Sequence, residues 1–307
     1  MRVSAIDIGT NTILLLIADI DENGTHRVVR DEHNIARLGK GVDAHRTILP
    51  ATFDRALAFL RAYKAIIDES HTDRVIARGT SFLRDANNQD EFIEFIRKKL
   101  GLEIQVLSGD EEGLFTYRGA VSEFSQPGMK QDFSVIDIGG GSTEITIGSG
   151  WDVRSRISLN VGSVRITERF LTTSPPSSQG LKEATEFVRE ELKAISLPPP
   201  ATQLIGVAGT LTTLAALDLR LPQYDRTRVS GHVLQKETID SIFSELRSKT
   251  VEEITAYPQI LAGRADIILA GILILREILT QFNRKEISVS DRGLRYGMAL
   301  HAAQEKL

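Results

Sequence analysis

The sequence predicts an α/β fold built twice, on three observations. Each half opens with three strand-like segments rich in Val, Ile and Leu, then alternates helices with strands. Each half carries a matching glycine turn, Asp7-Ile8-Gly9-Thr10-Asn11-Thr12 in the first and Asp137-Ile138-Gly139-Gly140-Gly141-Ser142-Thr143 in the second. A polar break, Ser125 to Asp132 with Pro127 and Gly128, separates them. A repeat of about 130 residues marks a domain duplication and not a solenoid. The expected domains are 1–124 and 125–307, with the last helix, about 293–307, returning to the first.

In order, Arg2 to Asp7 and Thr12 to Ile20 flank the first glycine turn as buried strands, and Thr25 to Glu32 follows the Glu22-Asn23-Gly24 turn. From Pro50 to Ser70, Phe53, Leu57, Leu60 and Ile67 recur at helical spacing behind a first-turn proline. Strand Arg74 to Gly79, helix Asp90 to Leu100, strand Glu103 to Leu107 and helix Asp110 to Glu123 complete an order βββαβαβα. The second half restarts with Phe133 to Ile138, Thr143 to Ile147 and Asp152 to Leu159, then strand Gln203 to Val207 and helix Leu211 to Leu217. A long helix, Ile260 to Phe282, a strand, Glu286 to Val289, and a helix, Gly293 to Ala303, end the chain. Pro198-Pro199-Pro200 reads as a stiff loop.

The 307 residues are 41% hydrophobic and 25% charged, enough apolar side chain for a core in each half. The absence of cysteine excludes disulfides, thiolate metal sites and thiol nucleophiles, and fits a reducing compartment. A formal net charge of −4 argues against a broad nucleic-acid binder, so an anionic ligand must be held by local donors. No signal peptide is expected at the start, and the apolar run Ile267 to Leu275 is too short to span a bilayer; the expected location is the cytoplasm, without a membrane partner.

The glycine turns carry the chemistry. Glycines admit positive φ and let a ligand approach the backbone, so successive amides form a concave anion site. Thr10, Asn11, Ser142 and Thr143 add side-chain donors, and Asp7 and Asp137 stand at the turn mouths, where a carboxylate holds Mg²⁺ through its water shell. A tight hairpin accounts for one such turn. Three consecutive glycines and a matched partner turn exceed what a hairpin needs. Gly206-Val207-Ala208-Gly209-Thr210 ends a strand and opens a helix, a further place for an anion, although Gly-Thr is also ordinary capping. In Ser108-Gly109-Asp110-Glu111-Glu112-Gly113 the helix dipole accounts for Asp110 and Glu111; Glu112, in the crossover between halves, is placed to take a proton from water. For Arg84 the residues alone say no more than a surface arginine.

Over essentially its whole length the chain resembles the exopolyphosphatase and guanosine pentaphosphate phosphohydrolase (Ppx/GppA) family. The matching stretches are DIGTNT at Asp7, GTSFLR ending in Arg84, SGDEEG at Ser108, DIGGGSTE at Asp137, AGT at Ala208, RADIILAGILIL at Arg264 and VSDRGLRYG at Val289. The resemblance implies the duplicated actin-like, sugar-kinase and Hsp70 ATPase (ribonuclease H-like) fold, two domains with a cleft between them. It further implies Glu112 as the general base, Asp137 with Glu144 nearby as Mg²⁺ (or Mn²⁺) ligands, and Gly139, Gly140, Gly141 and Ser142 as the cradle of the terminal phosphate. Asn11 and Arg84 would contact phosphate from the first domain, and Gly209 and Thr210 would line the second.

The expected activity is release of orthophosphate from the ends of inorganic polyphosphate, with guanosine pentaphosphate as the alternative substrate. A kinase of the same superfamily and a non-catalytic polyphosphate or nucleotide sensor are the competing classes. Arg84, Arg292 and Arg295 are expected to converge on the polyanion. Tyr296 replaces an acidic residue of the family pattern and, with Arg292, puts local substrate contacts in doubt. With Leu307 as the last residue, the helical C-terminal region of long family members is not expected, and short polyphosphates are the expected substrates. A homodimer is compatible with the sequence.

Overall fold

A computed structural model of the chain describes residues 1–305 except 22, 23, 25, 126, 127, 196, 200 and 201. Parts of the expected Glu22-Asn23-Gly24 turn, the Thr25 strand start, the Pro127 linker, Pro200 and the last two residues of the C-terminal helix therefore lie outside the described residues. The chain divides into two compact units, Met1–Pro127 with Arg292–Leu307, and Gly128–Asp291.

Unit 1 begins with β1 (Arg2–Ile8), β2 (Thr12–Ile20) and β3 (His26–Ile35), followed by α1 (Val42–His45), α2 (Pro50–Glu69) and β4 (Arg74–Gly79). Then come α3 (Ser81–Asp85), α4 (Gln89–Leu100), β5 (Ile104–Val106) and α5 (Gly109–Phe124). The strand order is β3-β2-β1-β4-β5, antiparallel across the first three and parallel from β1 to β4 and β5. Central β1 and β2 are nearly continuous apolar runs, as expected of strands buried on both faces, whereas edge strand β3 is largely exposed. Ile6, Ile8, Leu15, Leu60, Phe82 and Phe92 belong to one core cluster, each burial contributing about 1.5–3 kcal/mol. The short α1 and α3 are additional to the expected order.

Unit 2 repeats the scheme with β6 (Asp132–Ile138), β7 (Thr143–Ser149) and β8 (Asp152–Leu159), then α6 (Ser163–Phe170), α7 (Ser178–Leu192), β9 (Gln203–Val207) and α8 (Ala208–Asp218). After α9 (Arg226–Val229) come β10 (Val233–Gln235), α10 (Lys236–Leu246), α11 (Val251–Thr255), α12 (Ile268–Gln281) and β11 (Glu286–Val289). The sheet order is β10-β11-β9-β6-β7-β8. Removing the antiparallel edge strand β10 leaves the unit 1 order, so the duplication is topological as well as local. The final helix, α13 (Leu294–Gln304), belongs to unit 1, where it packs on α5 and β1.

One expected element is corrected. The long helix from Ile260 begins only at Ile268, and Ala262–Arg264 forms a 3₁₀ turn instead. That turn brings Arg264 to α8, where one guanidinium nitrogen donates to Gly209 O at 3.1 Å and to Thr213 Oγ1 at 3.4 Å. A continuous helix would forgo both bonds.

Candidate active site

In unit 1 the carboxyl ends of β1, β4 and β5 lie side by side, since Ile8 pairs with Gly79 and Gly79 with Val106. Ligands of open α/β sheets bind at such strand ends. Here they carry Asp7, the Gly9-Thr10-Asn11 turn, the Thr80-to-Arg84 segment and Ser108-to-Glu112. Gly9 N donates to Thr12 O at 2.9 Å, closing the first turn. The loop after β3 then takes the turn's carbonyls: Gly39 N donates to Thr10 O at 2.8 Å, and the Ala36 and Arg37 amides donate to Asn11 O at 2.9 Å. A Cβ on Gly39 would stand 2.3 Å from Thr10 Cγ2, so glycine is what permits this approach. Arg55 braces the loop by donating to Ala36 O at 2.6 Å and Arg37 O at 3.0 Å.

Glu112 sits in the first turn of α5, a helix started by a reciprocal capping box between Ser108 and Glu111. Asp110 and Glu111 thus have the helix-starting role expected of them. Glu112 is 7% exposed, and its Oε2 accepts from Arg84 at 2.6 Å; the same Arg84 nitrogen donates to Leu107 O at 2.9 Å. Burial pushes the Glu112 carboxyl above the usual carboxylate range, and Arg84 pulls against that rise without cancelling it. Arg84 is therefore more than a surface arginine: it joins the last turn of α3 to the proposed base.

One C-terminal expectation is corrected. Arg295 is 4% exposed, and two of its guanidinium nitrogens donate to Asp31, each at 3.1 Å, so it is committed to a buried ion pair and does not converge on a polyanion. Tyr296 is fully buried. Its hydroxyl donates to Asp31 at 3.2 Å and its ring meets His26 edge-on at 5.2 Å. The departure from the family pattern is thus a packing residue of unit 1. Desolvation among these groups lowers the His26 pKa to about 4. Arg292 lies over the Tyr296 ring at 5.7 Å and donates to Ser122 O at 3.4 Å.

In unit 2 the second turn is closed as the first is, by Gly139 N donating to Ser142 O at 3.0 Å. Asp137 and Glu144 are direct cross-strand partners on β6 and β7, 9% and 2% exposed. Ser158 Oγ donates to Glu144 Oε1 at 2.7 Å, and Thr143 Oγ1 donates to Val161 O at 2.5 Å. Asp137 also pairs with Val207 of β9, which sets Ala208-Gly209-Thr210 beside the same strand ends. Ala208 has φ 69°, a left-handed backbone costly for a side chain, and such strain gathers at working sites. Arg264 covers Gly209 so closely that a Cβ there would lie 2.4 Å from its Cζ.

No group of three or more His, Cys, Asp or Glu arranged for a metal ion occurs among the described residues. Mg²⁺ does not need one: it keeps several waters and takes one or two carboxylates together with phosphate oxygens. Asp137 and Glu144 fit that demand in unit 2, and Asp7 supplies a carboxylate in unit 1. No helix of the described residues is long and apolar enough to cross a membrane.

Sequence reasoning missed Arg55, Gly162, Ser163 and Arg165, and gave Arg264 no role. The available signal for the middle three was Gly162-Ser163 at a strand-to-helix junction, a helix start.

The chain is 34% identical to exopolyphosphatase 2 of Mycobacterium tuberculosis over 317 residues, covering 98% of each protein. It is 32% identical over 314 residues to a bifunctional 3-dehydroquinate synthase/phosphatase of Fusobacterium nucleatum, covering 99% of this chain but 47% of that protein, about half its length. A guanosine-5'-triphosphate,3'-diphosphate pyrophosphatase of Vibrio parahaemolyticus is 26% identical over 308 residues, with 98% of this chain and 59% of that protein covered. The crystal structure of the Aquifex aeolicus Ppx/GppA family member superposes with a TM-score of 0.84 at 34% identity, covering 100% of this chain and 98% of that one. The α/β architecture is thus the duplicated actin-like fold that the resemblance implied. Residues 16–306 match the sequence model of the Ppx/GppA phosphatase family, and the chain belongs to that family.

Proposed function

We propose that the protein is an exopolyphosphatase that releases orthophosphate from the ends of inorganic polyphosphate. The observation that carries this reading is the pairing of buried Glu112 with the half-buried Arg84: a carboxylate with raised proton affinity, held by a cation at the end of a sheet whose turns suit phosphate. The glycine turn of unit 2 binds the terminal phosphate through backbone amides, with the Ser142 hydroxyl beside it; the Thr143 hydroxyl, fully buried and donating to Val161 O, is not available to it. Glu112 accepts a proton as a water oxygen attacks the terminal phosphorus in line. The P–O bond to the chain breaks, and the polymer leaves one phosphate shorter with the electron pair on its new terminal oxygen. Asn11, Arg84, Gly209 and Thr210 offset phosphate charge. Positioning and electrostatics supply most of the acceleration in such transfers. Asp137 and Glu144 would hold Mg²⁺ (or Mn²⁺), which when bound withdraws charge from phosphoryl oxygens.

The likeness to the Vibrio protein makes guanosine pentaphosphate the second substrate to test. Phosphate release from polyphosphates of defined length and from guanosine pentaphosphate, with and without Mg²⁺, decides between them. Preferred turnover of polyphosphate is expected. Faster turnover of guanosine pentaphosphate reverses the assignment, and release from neither substrate defeats the enzymatic reading in favour of a sensor. In the same assay Asp137→Asn is expected to move the Mg²⁺ titration to at least tenfold higher concentration, because a neutral amide is a poorer ligand for a hard cation. An unchanged titration would remove Asp137 from the metal site.

The pH profile tests the base. Glu112 must be ionised to accept a proton, so its raised pKa places the acid limb of kcat/KM above the ordinary carboxylate range. Arg84→Met removes the cation that favours the ionised form. The limb is then expected to move to higher pH, besides any loss of rate. A limb that stays in place, or moves down, contradicts the pairing of Arg84 with the catalytic carboxyl.

A further inference from the structure

The three-glycine turn is aimed from behind. Gly139 O accepts from Ser163 N at 2.9 Å and Ser163 Oγ at 3.2 Å. Gly140 O accepts from the amides of Val164 at 2.8 Å and Arg165 at 3.2 Å. Gly141 O accepts from Arg165 Nε at 2.8 Å. Three consecutive carbonyls are thus fastened to the first turn of α6. A trans peptide is planar, with its C=O and N–H pointing in opposite directions. Fixing the carbonyls of Gly139, Gly140 and Gly141 toward α6 therefore turns the amides of Gly140, Gly141 and Ser142 away from it. Three amides turned to one side form an anion-binding nest. Gly162 is what lets α6 come so near: a Cβ there would lie 2.4 Å from Gly140 O.

Backbone amides hold the first two carbonyls, with the Ser163 hydroxyl added on the first, and any residue but proline supplies such an amide. The third is held by a side chain. We infer that Arg165 is a positioning residue for phosphate binding: its Nε bond to Gly141 O sets the direction of the Ser142 amide, and so completes the three-amide cradle. Arg165 is 5% exposed, so the bond is shielded from competing water. The inference rests on the proposal that this turn holds the transferred phosphate, and goes beyond it by assigning the residue that sets its shape.

Two substitutions separate aim from charge. In Arg165→Gln the amide nitrogen stands at the same place along the side chain as Nε, keeping a donor and losing the charge. In Arg165→Lys a methylene takes that place, while the charge is kept. With polyphosphate as substrate, R165Q is expected to stay within about threefold of the wild-type kcat. R165K is expected to lose about 10–100-fold, the scale seen when a residue that orients a metal ligand is removed. The loss should fall on kcat more than KM, because one misdirected amide weakens the hold on the transferring group alone. Inhibition by orthovanadate and the Tm increase produced by inorganic phosphate should follow the same ranking. Val188→Ala, a buried change in α7, serves as a control of lowered stability.

Full activity in both Arg165 variants, or the reverse ranking, overturns the inference. So does an equal loss in both that follows Tm as in V188A, since that is a merely structural role. Phosphate release is scored first in the wild type. If it is absent there, the functional reading fails by itself, and the phosphate-induced Tm shift still decides whether Arg165 shapes an anion site.

Discussion

Glu112→Gln is expected to lower phosphate release by about 10²–10⁴-fold, the usual worth of a general base. The glutamine keeps the shape of the side chain and can accept a hydrogen bond from Arg84, so binding of the polymer should survive. Stability should change in the opposite sense to activity. Burial raises the Glu112 carboxyl, so its protonated form favours the folded state; that contribution is present below the unfolded-state pKa and is lost as pH rises through the higher folded-state value. Once ionised, the carboxylate is a buried charge that the Arg84 pair does not fully offset, so the effect grows as pH rises. E112Q is therefore expected to show a higher Tm than wild type at pH 8, with the difference shrinking as pH falls. A variant keeping more than a tenth of wild-type turnover would remove Glu112 from the mechanism. A lower Tm at pH 8 would show that the ion pair outweighs desolvation.

Both parts of this site were visible in the sequence, but their partnership was not. SGDEEG reads as a helix start because its capping and dipole signals are local, lying within six residues. Arg84 lies 28 positions before Glu112, and only the pairing of β4 with β5 brings the two together. The glycine turns were legible for the same reason of locality. The carbonyl clamp on the second turn was not, because Ser163 and Arg165 lie 24 positions from the residues they hold. Arg295 shows the converse error. Its charge suggested a ligand contact, yet Asp31, 264 positions away, takes it into the interior of unit 1. Charge alone does not tell a partnered arginine from a binding one. Boundaries failed where a side chain overrode periodicity, as at Arg264, whose bonds to α8 replace the first turns of the long helix expected from the apolar pattern.

Gly297→Ala is expected to destabilise the protein more than a single methyl group suggests. In α13 the Gly297 position lies against α5, and a Cβ there would stand 1.7 Å from Phe115 O and 2.5 Å from Phe115 C. Both are backbone atoms of a helix, so no side chain can rotate away. The helices must separate by more than an ångström, which opens the contact that Gly119 also makes, where a Cβ would stand 2.3 Å from Gly293 O. Overpacking of this kind costs about 3 kcal/mol. At about 2–4 °C per kcal/mol for a domain of this size, Tm should fall by about 6–12 °C. Gly101→Ala is the comparison: Gly101 has φ +64° with nothing within 4 Å, so alanine meets only backbone strain of about 1–2 kcal/mol. Activity distinguishes the two further. Helix α5 carries Glu112, and displacements of about 1 Å at a reacting group can cost 10²-fold. G297A should therefore lose turnover even where it is still folded, while G101A should keep it. A G297A protein with wild-type Tm and rate would show that α5 does not owe its position to the glycine contact with α13.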